Sequence, residues 1–77
     1  MNKMRRKELE KVIDLIDEAR GLLESVKEEE EDALENLPES LQTSERGEKM
    51  EDNAYQMDDC ISDMDGIIDT LEEIMEG

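Results

Sequence analysis

The chain has 77 residues, of which 25 are acidic and 9 basic, so its formal net charge is −16. This length allows one small domain, residues 1–77. The absence of His and the single cysteine, Cys60, exclude a disulfide framework, a Cys/His zinc site and the His-dependent triads. The negative charge disfavours direct binding to nucleic acids and anionic membranes. We therefore expect no enzyme activity and no cofactor.

Two stripes of residues at alternating steps of three and four predict two long α-helices. This spacing is the heptad pattern of helices that pack side by side. The first stripe is apolar except for Glu30 and comprises Leu9, Val12, Ile16, Ala19, Leu23, Val26, Glu30, Ala33 and Leu37. The second comprises Gly47, Met50, Ala54, Met57, Ile61, Met64, Ile68, Leu71 and Met75. The sequence predicts an all-α protein with helices over about 3–35 and 44–75.

The segment between the stripes predicts a tight turn. Pro38 lacks the backbone N–H that a continuing helix needs, and Ser44 or Thr43 can cap the second helix. Asn36 followed by Glu39 predicts a capping box that opens a short helical turn. Together these features indicate an antiparallel two-helix hairpin, with residues 1–77 as a single helical-hairpin domain.

Folding the chain about Ser40 pairs the two stripes in register. Residues whose numbers add up to 80 then face each other, for example Leu9 and Leu71. The same register brings the basic N-terminal segment against the acidic C-terminal part of the chain, and exposed pairs of this kind contribute about 0–1 kcal/mol each. The predicted pairing joins Arg5, Arg6 and Lys7 to Glu72, Glu73 and Glu76.

The turn region carries a resemblance to a known group of proteins. Residues 36–54 read N-L-P-E-S-L-Q-T-S-E-R-G-E-K-M-E-D-N-A. This segment, about a quarter of the chain, is similar to one in small uncharacterised phage and prophage proteins, where an N-L-P-E-x-L-Q-x-S-E-R turn precedes an acidic heptad helix. The resemblance implies an accessory protein of a bacterial virus or mobile element and no catalytic residue. From this resemblance we expect a residue bulkier than glycine at position 47. The glycine found there, Gly47, predicts looser packing at the turn end of the hairpin.

Additional apolar residues flank both stripes and predict self-association. A two-helix hairpin buries one face of each helix, whereas this wider apolar surface suits a bundle of more than two helices. A chain of this size also has little core of its own. We expect a homo-oligomer, most simply a dimer that forms a four-helix bundle. The predicted interface residues are Leu15, Leu22, Cys60, Ile67 and Ile74.

One acidic segment has two interpretations. It matches the later positions of a calcium-binding EF-hand loop at Asp63, Asp65, Gly66, Asp69 and Glu72. The first loop position, however, would be Ile61, and a loop there would interrupt the second apolar stripe. We therefore expect an uninterrupted helix and no metal site.

The charge of the chain predicts a binding surface that imitates nucleic acid. Sixteen charges on a rod of about 45 Å are spaced about 2.8 Å apart, or about 1.4 Å in a dimer, against about 1.7 Å in duplex DNA. We expect the rod to block the basic channel of a nucleic-acid-binding host protein. The phage-like resemblance implies an anti-CRISPR-like inhibitor of host defence. Tyr55 is either an anchor for that partner or a helix-packing residue. The predicted mimic face comprises Asp58, Asp59, Asp63, Asp65, Asp69, Glu72, Glu73 and Glu76.

Two other functions fit the sequence. One is a helical oligomer that sequesters a cyclic-nucleotide immune signal, because a phosphate ligand needs cations or a helix N-terminus. The other is a structural or assembly adaptor, which would bind a phage protein rather than a host protein. The cluster that could hold the phosphate in the first case comprises Lys3, Arg5, Arg6, Lys7 and Lys11.

The sequence also predicts the cellular location of the protein. Its N-terminus is charged and no apolar run approaches the length of a membrane span, so we expect neither a signal peptide nor membrane insertion. The single Cys60 fits a reducing compartment. We expect a soluble protein of the host bacterial cytoplasm.

Overall fold

The computed structural model describes residues 1–77 and contains three α-helices. Helix α1 spans Lys3–Glu35, α2 spans Glu39–Gln42 and α3 spans Glu45–Glu76. The two long helices pack against each other in an elongated hairpin with principal extents of 58, 15 and 12 Å, and α2 lies in the turn. The predicted all-α hairpin is confirmed, and the bounds of α1 agree with the prediction to the residue.

Polar side chains cap the N-termini of both long helices. The side chain of Asn2 accepts a hydrogen bond of 2.8 Å from the backbone N–H of Arg5 at the start of α1. The hydroxyl of Ser44 accepts one of 3.4 Å from the backbone N–H of Gly47 at the start of α3. Each bond satisfies a backbone donor that has no partner within the first turn of its helix. Ser44 is therefore the cap that the sequence predicts.

The predicted capping box at the turn is wrong. Asn36 ends α1, and its backbone N–H donates to the carbonyl of Asp32 at 3.0 Å. Pro38 precedes α2 instead, and no side chain caps that short helix. The difference arises because helical hydrogen bonding continues to Asn36 itself, so this residue closes the first helix rather than opening the next.

The seam that α3 presents to α1 follows the predicted stripe. Ile61 and Ile68, each 8% exposed, are the two buried apolar side chains, and Gly47 is buried as well. The remaining members are half-buried: Met50, Ala54, Met57, Met64, Leu71 and Met75. The second stripe of the sequence is therefore the contact face of α3.

The seam of α1 follows a different phase from the prediction. Leu9, Ile16, Leu23 and Glu30 are half-buried as expected, but Val12, Ala19, Val26 and Ala33 are exposed. Their places in the contact are taken by Ile13, Arg20, Lys27 and Leu34. Long basic side chains can occupy such positions because their aliphatic stems cover apolar surface while their charged ends reach polar partners. Four of the nine members of the predicted stripe of α1 thus lie outside the hairpin contact.

The register of the hairpin is shifted as well. Two ion pairs connect α1 to α3, Arg20 with Asp65 and Lys27 with Asp58, and the residue numbers of both pairs add up to 85 rather than 80. A shift of five residues corresponds to about 7.5 Å along a helix axis. The start of α3 therefore lies under the turn, and the first residues of α1 extend past the end of α3.

This shift removes the predicted pairing between the two ends of the chain. All four ion pairs of the structure involve Arg20 or Lys27. The predicted contacts of Arg5, Arg6 and Lys7 with Glu72, Glu73 and Glu76 are consequently wrong. The physical cause of the shift lies at the other end of the hairpin. There α2 packs on α3 and sets how far α3 is displaced along α1.

Gly47 makes this packing close. A Cβ atom at this position would lie 2.6 Å from the carbonyl oxygen of Leu41 and even nearer to that of Gln42. The side-chain amide of Gln42 in turn donates to the carbonyl oxygen of Leu37 at 2.8 Å. The turn end is therefore tight at Gly47, and the prediction that this glycine loosens it is wrong.

Candidate functional site

The two long sides of the hairpin differ in chemistry. Because the helices are antiparallel, the residues that follow seam positions in both helices lie on one side, and those that precede them lie on the other. Two grooves between the helices show this arrangement directly. One is lined by Glu31 and Asp58, among others, and the other by Asp14 and Glu72. All four of these residues directly follow a seam residue.

The side that follows the seam is strongly acidic. Counted after the seam residues from Leu9 to Leu34 and from Met50 to Met75, thirteen of the sixteen positions carry a carboxylate, and the exceptions are Gly21, Tyr55 and Ser62. We call this set the acidic face. It comprises Glu10, Asp14, Asp17, Glu24, Glu28, Glu31, Glu35, Glu51, Asp58, Asp65, Asp69, Glu72 and Glu76.

The acidic face includes only part of the predicted mimic surface. All eight predicted carboxylates are exposed, and five of them belong to this face: Asp58, Asp65, Asp69, Glu72 and Glu76. The other three, Asp59, Asp63 and Glu73, lie elsewhere around α3. Sequence reasoning missed the seven carboxylates that α1 contributes. The signal was present, since an acidic residue follows almost every seam residue of α1, but it appears only once the correct seam is known.

The side that precedes the seam is apolar along its middle. Its apolar members, which we call the apolar face, are exposed: Leu22 is 68% exposed, Leu15 65% and Ile67 50%. All five predicted interface residues belong to it. The full set is Val12, Leu15, Ala19, Leu22, Val26, Ala33, Cys60, Ile67 and Ile74.

Tyr55 lies at the acidic face and not between the helices. Its side chain is 64% exposed, and its hydroxyl donates a hydrogen bond of 3.4 Å to a carboxylate oxygen of Glu51. It lines the same groove as Lys27, Leu34 and Asp58. The structure therefore does not place Tyr55 in the predicted packing role. Its aromatic ring remains available to a partner.

Arg20 and Lys27 are the two cations that reach toward the acidic face from the seam. Arg20 pairs with Asp17 and Asp65, and the hydrogen bond to Asp65 is the main reason that the pKa of Arg20 is raised. Lys27 Nζ lies 3.1 Å from Asp58 Oδ1, and this hydrogen bond raises the pKa of Lys27. A raised lysine pKa stabilises the fold at neutral pH, and that contribution is lost as the pH rises through the folded-state value. Both pairs are therefore intact at neutral pH.

We expect the double substitution Arg20→Leu and Lys27→Leu to raise the Tm of the hairpin by a few degrees. These side chains are only 29% and 26% exposed, so leucine there adds apolar burial, whereas ion pairs that water reaches stabilise a fold little. Thermal unfolding followed by circular dichroism measures the change. The matched control, Lys11→Leu with Arg46→Leu, makes the same chemical change at exposed positions. A lower Tm for the seam variant than for this control would show that the ion pairs hold the register.

The basic N-terminal cluster is accessible in the structure. Its five cations are all exposed, and none of them forms an ion pair within the chain. The cluster lies on the part of α1 that extends toward and past the end of α3. It comprises Lys3, Arg5, Arg6, Lys7 and Lys11.

The segment that resembles a calcium-binding loop is helical. Residues 61–72 lie inside the continuous helix α3, and Ile61 and Ile68 point into the seam. No group of three or more Asp, Glu or Cys side chains is arranged to hold a metal ion. None of the three helices has an apolar stretch long enough to cross a membrane.

Comparison with known proteins identifies no relative whose functional residues could be compared with those of this chain. The sequence matches no protein-family model, and searches of the curated proteins and of the solved structures give no match.

Proposed function

We propose that this protein binds a basic, nucleic-acid-binding host protein through its acidic face and keeps nucleic acid off that protein. The observation that supports this proposal best is the segregation of charge, with thirteen carboxylates on one side of a straight hairpin. A solvated helix needs acidic residues around its surface but does not need them in one two-helix band.

The density of charge supports imitation of a nucleic acid strand. A net charge of −16 over the 58 Å length of the hairpin gives one charge per about 3.6 Å. One strand of a duplex carries one charge per about 3.4 Å of helix axis. The structure is longer than about 45 Å because α1 alone has 33 residues, about 50 Å, and the turn adds to this length, so the spacing is wider than the sequence predicts.

The geometry of the acidic face also supports the proposal. Consecutive carboxylates along a helix are mostly three or four residues apart, which is about 4.5–6 Å, and two packed helices place their rows about 8–10 Å apart. These rows are fixed by the helices, so binding needs little ordering of the backbone. Exposed Tyr55 within the band offers an aromatic surface on which an arginine of the partner can stack.

The resemblance of residues 36–54 to phage and prophage proteins supports a host-defence target. Defence nucleases carry basic channels for guide and target nucleic acids. We therefore propose an inhibitor of the anti-CRISPR type that works in the bacterial cytoplasm.

The proposal predicts that neutralising the acidic face abolishes capture of the partner. The test variant carries Asp14→Asn, Asp17→Asn, Glu24→Gln and Glu28→Gln, and each variant is used to capture proteins from nuclease-treated bacterial lysate. The wild-type chain should retain nucleic-acid-binding proteins that duplex DNA displaces and that high salt releases, since both partners use charge. The test variant should retain them at least tenfold less.

The matched control removes the same charge from outside the acidic face. It carries Glu18→Gln, Asp52→Asn, Asp59→Asn and Glu73→Gln, so its net charge equals that of the test variant. Equal loss of capture in both variants would mean that total charge, not the acidic face, recruits partners. Capture of a phage structural protein that duplex DNA fails to displace would support the adaptor role instead.

The accessible basic cluster favours a second candidate function, sequestration of a cyclic nucleotide. Without ion pairs inside the chain, Arg5 and Arg6 are available to phosphate groups. Equilibrium dialysis with a cyclic dinucleotide tests this role. Binding that is lost in the variant Arg5→Ala with Arg6→Ala, while the helical circular dichroism signal is kept, would favour it over the acidic face.

A further inference from the structure

The apolar face is exposed to solvent although its residues have the spacing of a helix–helix contact. Along α1 its members Val12, Leu15, Ala19, Leu22 and Val26 follow steps of three and four, the spacing of a heptad seam. Along α3, three more members recur every seven residues. None of these eight side chains is buried within the hairpin. On α3 the positions between the three members are Asp63 and Thr70. The hairpin therefore presents a second seam, continuous on α1 and interrupted on α3, that its own helices do not use.

The hairpin also has little core without another chain. Ile61 and Ile68 are its only buried apolar side chains. The broad side of the molecule measures 58 by 15 Å, roughly 870 Å², and stable interfaces bury about 800 Å² on each partner. A dimer of that size therefore uses the whole broad side, with the apolar face covering about half of its length.

We propose that a second copy of this chain covers the apolar face, so that two hairpins form an antiparallel, two-fold symmetric four-helix bundle. The two-fold axis passes close to Ala19 on α1 and Ile67 on α3. This inference does not depend on the proposed function, since the acidic faces point outward on opposite sides of the bundle.

The positions of the apolar residues support two-fold symmetry. On α1 the continuous run from Val12 to Val26 is centred on Ala19, with Ala33 lying beyond it, and on α3 the members run from Cys60 to Ile74 and are centred on Ile67. The observed register, in which facing residue numbers add up to about 85, places these two centres side by side. An isologous interface requires a patch that matches itself about one axis, and this patch does.

The same axis pairs the apolar residues with one another. Rotation about Ala19 brings Leu15 to within one residue of the level of Leu22 of the second copy and Val12 to the level of its Val26. On α3, the rotation brings Cys60 to the level of Ile74. Large apolar residues thus meet along the α1 pair, as a packed bundle core requires. Along the α3 pair, apolar contacts at Cys60, Ile67 and Ile74 alternate with the polar residues Asp63 and Thr70.

The charges on α1 favour the antiparallel arrangement over the parallel one. In the antiparallel arrangement the basic residues 3–7 of one copy lie at the level of residues 31–35 of the other, which include Glu31, Asp32 and Glu35. In the parallel arrangement the two basic ends lie side by side, and so do the two acidic turn ends. Because like charges repel and these cations have no partner within their own chain, the antiparallel pairing is the favourable one.

Light scattering and native mass spectrometry at micromolar concentration test the interface. We expect twice the monomer mass of 8.9 kDa for the wild-type chain and complete loss of the dimer for Leu15→Glu with Leu22→Glu. The control Ser25→Glu with Ser62→Glu adds the same charge at exposed positions outside the apolar face and should stay dimeric. A monomeric wild-type chain, a larger oligomer, or a dimeric leucine variant would overturn the proposal.

Disulfide trapping in the folded wild-type background tests the orientation even where the leucine variant fails to fold. In the variant Cys60→Ser with Ile67→Cys, the new thiols lie near the axis and should link two chains under mild oxidation. In the wild-type chain, the two copies of Cys60 are seven residues on either side of the axis, about 20 Å apart, and should not link. Efficient linking through Cys60, with none through position 67, would overturn the antiparallel arrangement.

Discussion

Replacing Gly47 with alanine is expected to destabilise the hairpin by about 3 kcal/mol, the upper part of the usual range for overpacking. The added Cβ atom would lie 2.6 Å from the carbonyl oxygen of Leu41 and nearer still to that of Gln42. These are backbone atoms, so no side-chain rotation relieves the clash. Ser44 further restrains the turn, because its backbone N–H donates to the Leu41 carbonyl oxygen at 3.1 Å.

The other two helical glycines provide matched controls for this substitution. A Cβ atom added at Gly21 or at Gly66 would meet no atom within 4 Å outside the backbone of its own helix. Alanine at either site should therefore stabilise the protein by up to about 1 kcal/mol through helix propensity alone. Urea unfolding of the three variants, followed by circular dichroism, gives the comparison. If Gly47→Ala unfolds at a higher urea concentration than the wild-type chain, the close contact between α2 and α3 does not exist in solution.

Truncating either buried isoleucine is the second change with a large expected effect. We expect Ile61→Ala and Ile68→Ala each to lower the free energy of unfolding by about 2 kcal/mol, the lower end of the range for a core isoleucine, because the seam is thin. Both side chains are 8% exposed, and no other apolar side chain is buried as deeply. The loss should be similar at all protein concentrations, since these contacts are made within one hairpin.

The same truncation on the apolar face separates the seam within the hairpin from contacts between copies. Ile67 is 50% exposed, so Ile67→Ala removes little burial from a single hairpin. If two copies pack there, its effect on the urea midpoint should grow as the protein concentration is raised, because association stabilises the folded state by mass action. A concentration-dependent effect of Ile68→Ala, with none for Ile67→Ala, would contradict the assignment of the two faces.

The helices and the turn could be predicted because their signals are local. Alternating steps of three and four, an interrupting Pro38 and a capping Ser44 are each read within a few residues. The seam of α3 could be predicted for the same reason, since only one alternating pattern of apolar residues runs through it. These features required no knowledge of what packs against the helix.

The seam of α1 could not be predicted because two alternating patterns share Leu9, Ile16 and Leu23. The pattern that is apolar except for Glu30 is the natural choice, yet the hairpin uses the one that contains Arg20 and Lys27. Which pattern faces α3 depends on the carboxylates across the contact and on the register, and both are properties of the folded chain. The α1 half of the acidic face was missed as a direct result.

The register of the two long helices depends on a contact at the turn, away from most residues of the two apolar stripes. It is set where α2 packs against the start of α3, and the absence of a side chain at Gly47 decides how closely they approach. The sequence shows a glycine at that position, but only the fold shows which backbone atoms occupy the space beside it.

The five-residue shift gives the two ends of a single hairpin different local stability. At the turn, α1, α2 and α3 restrain one another, and Gln42 ties the short helix to the carbonyl oxygen of Leu37. At the opposite end, residues 3–7 of α1 extend past the end of α3 and have only the Asn2 cap to hold them. Opening fluctuations of one chain therefore begin at its N-terminus and travel toward the turn, so the backbone amides of that end exchange with solvent first.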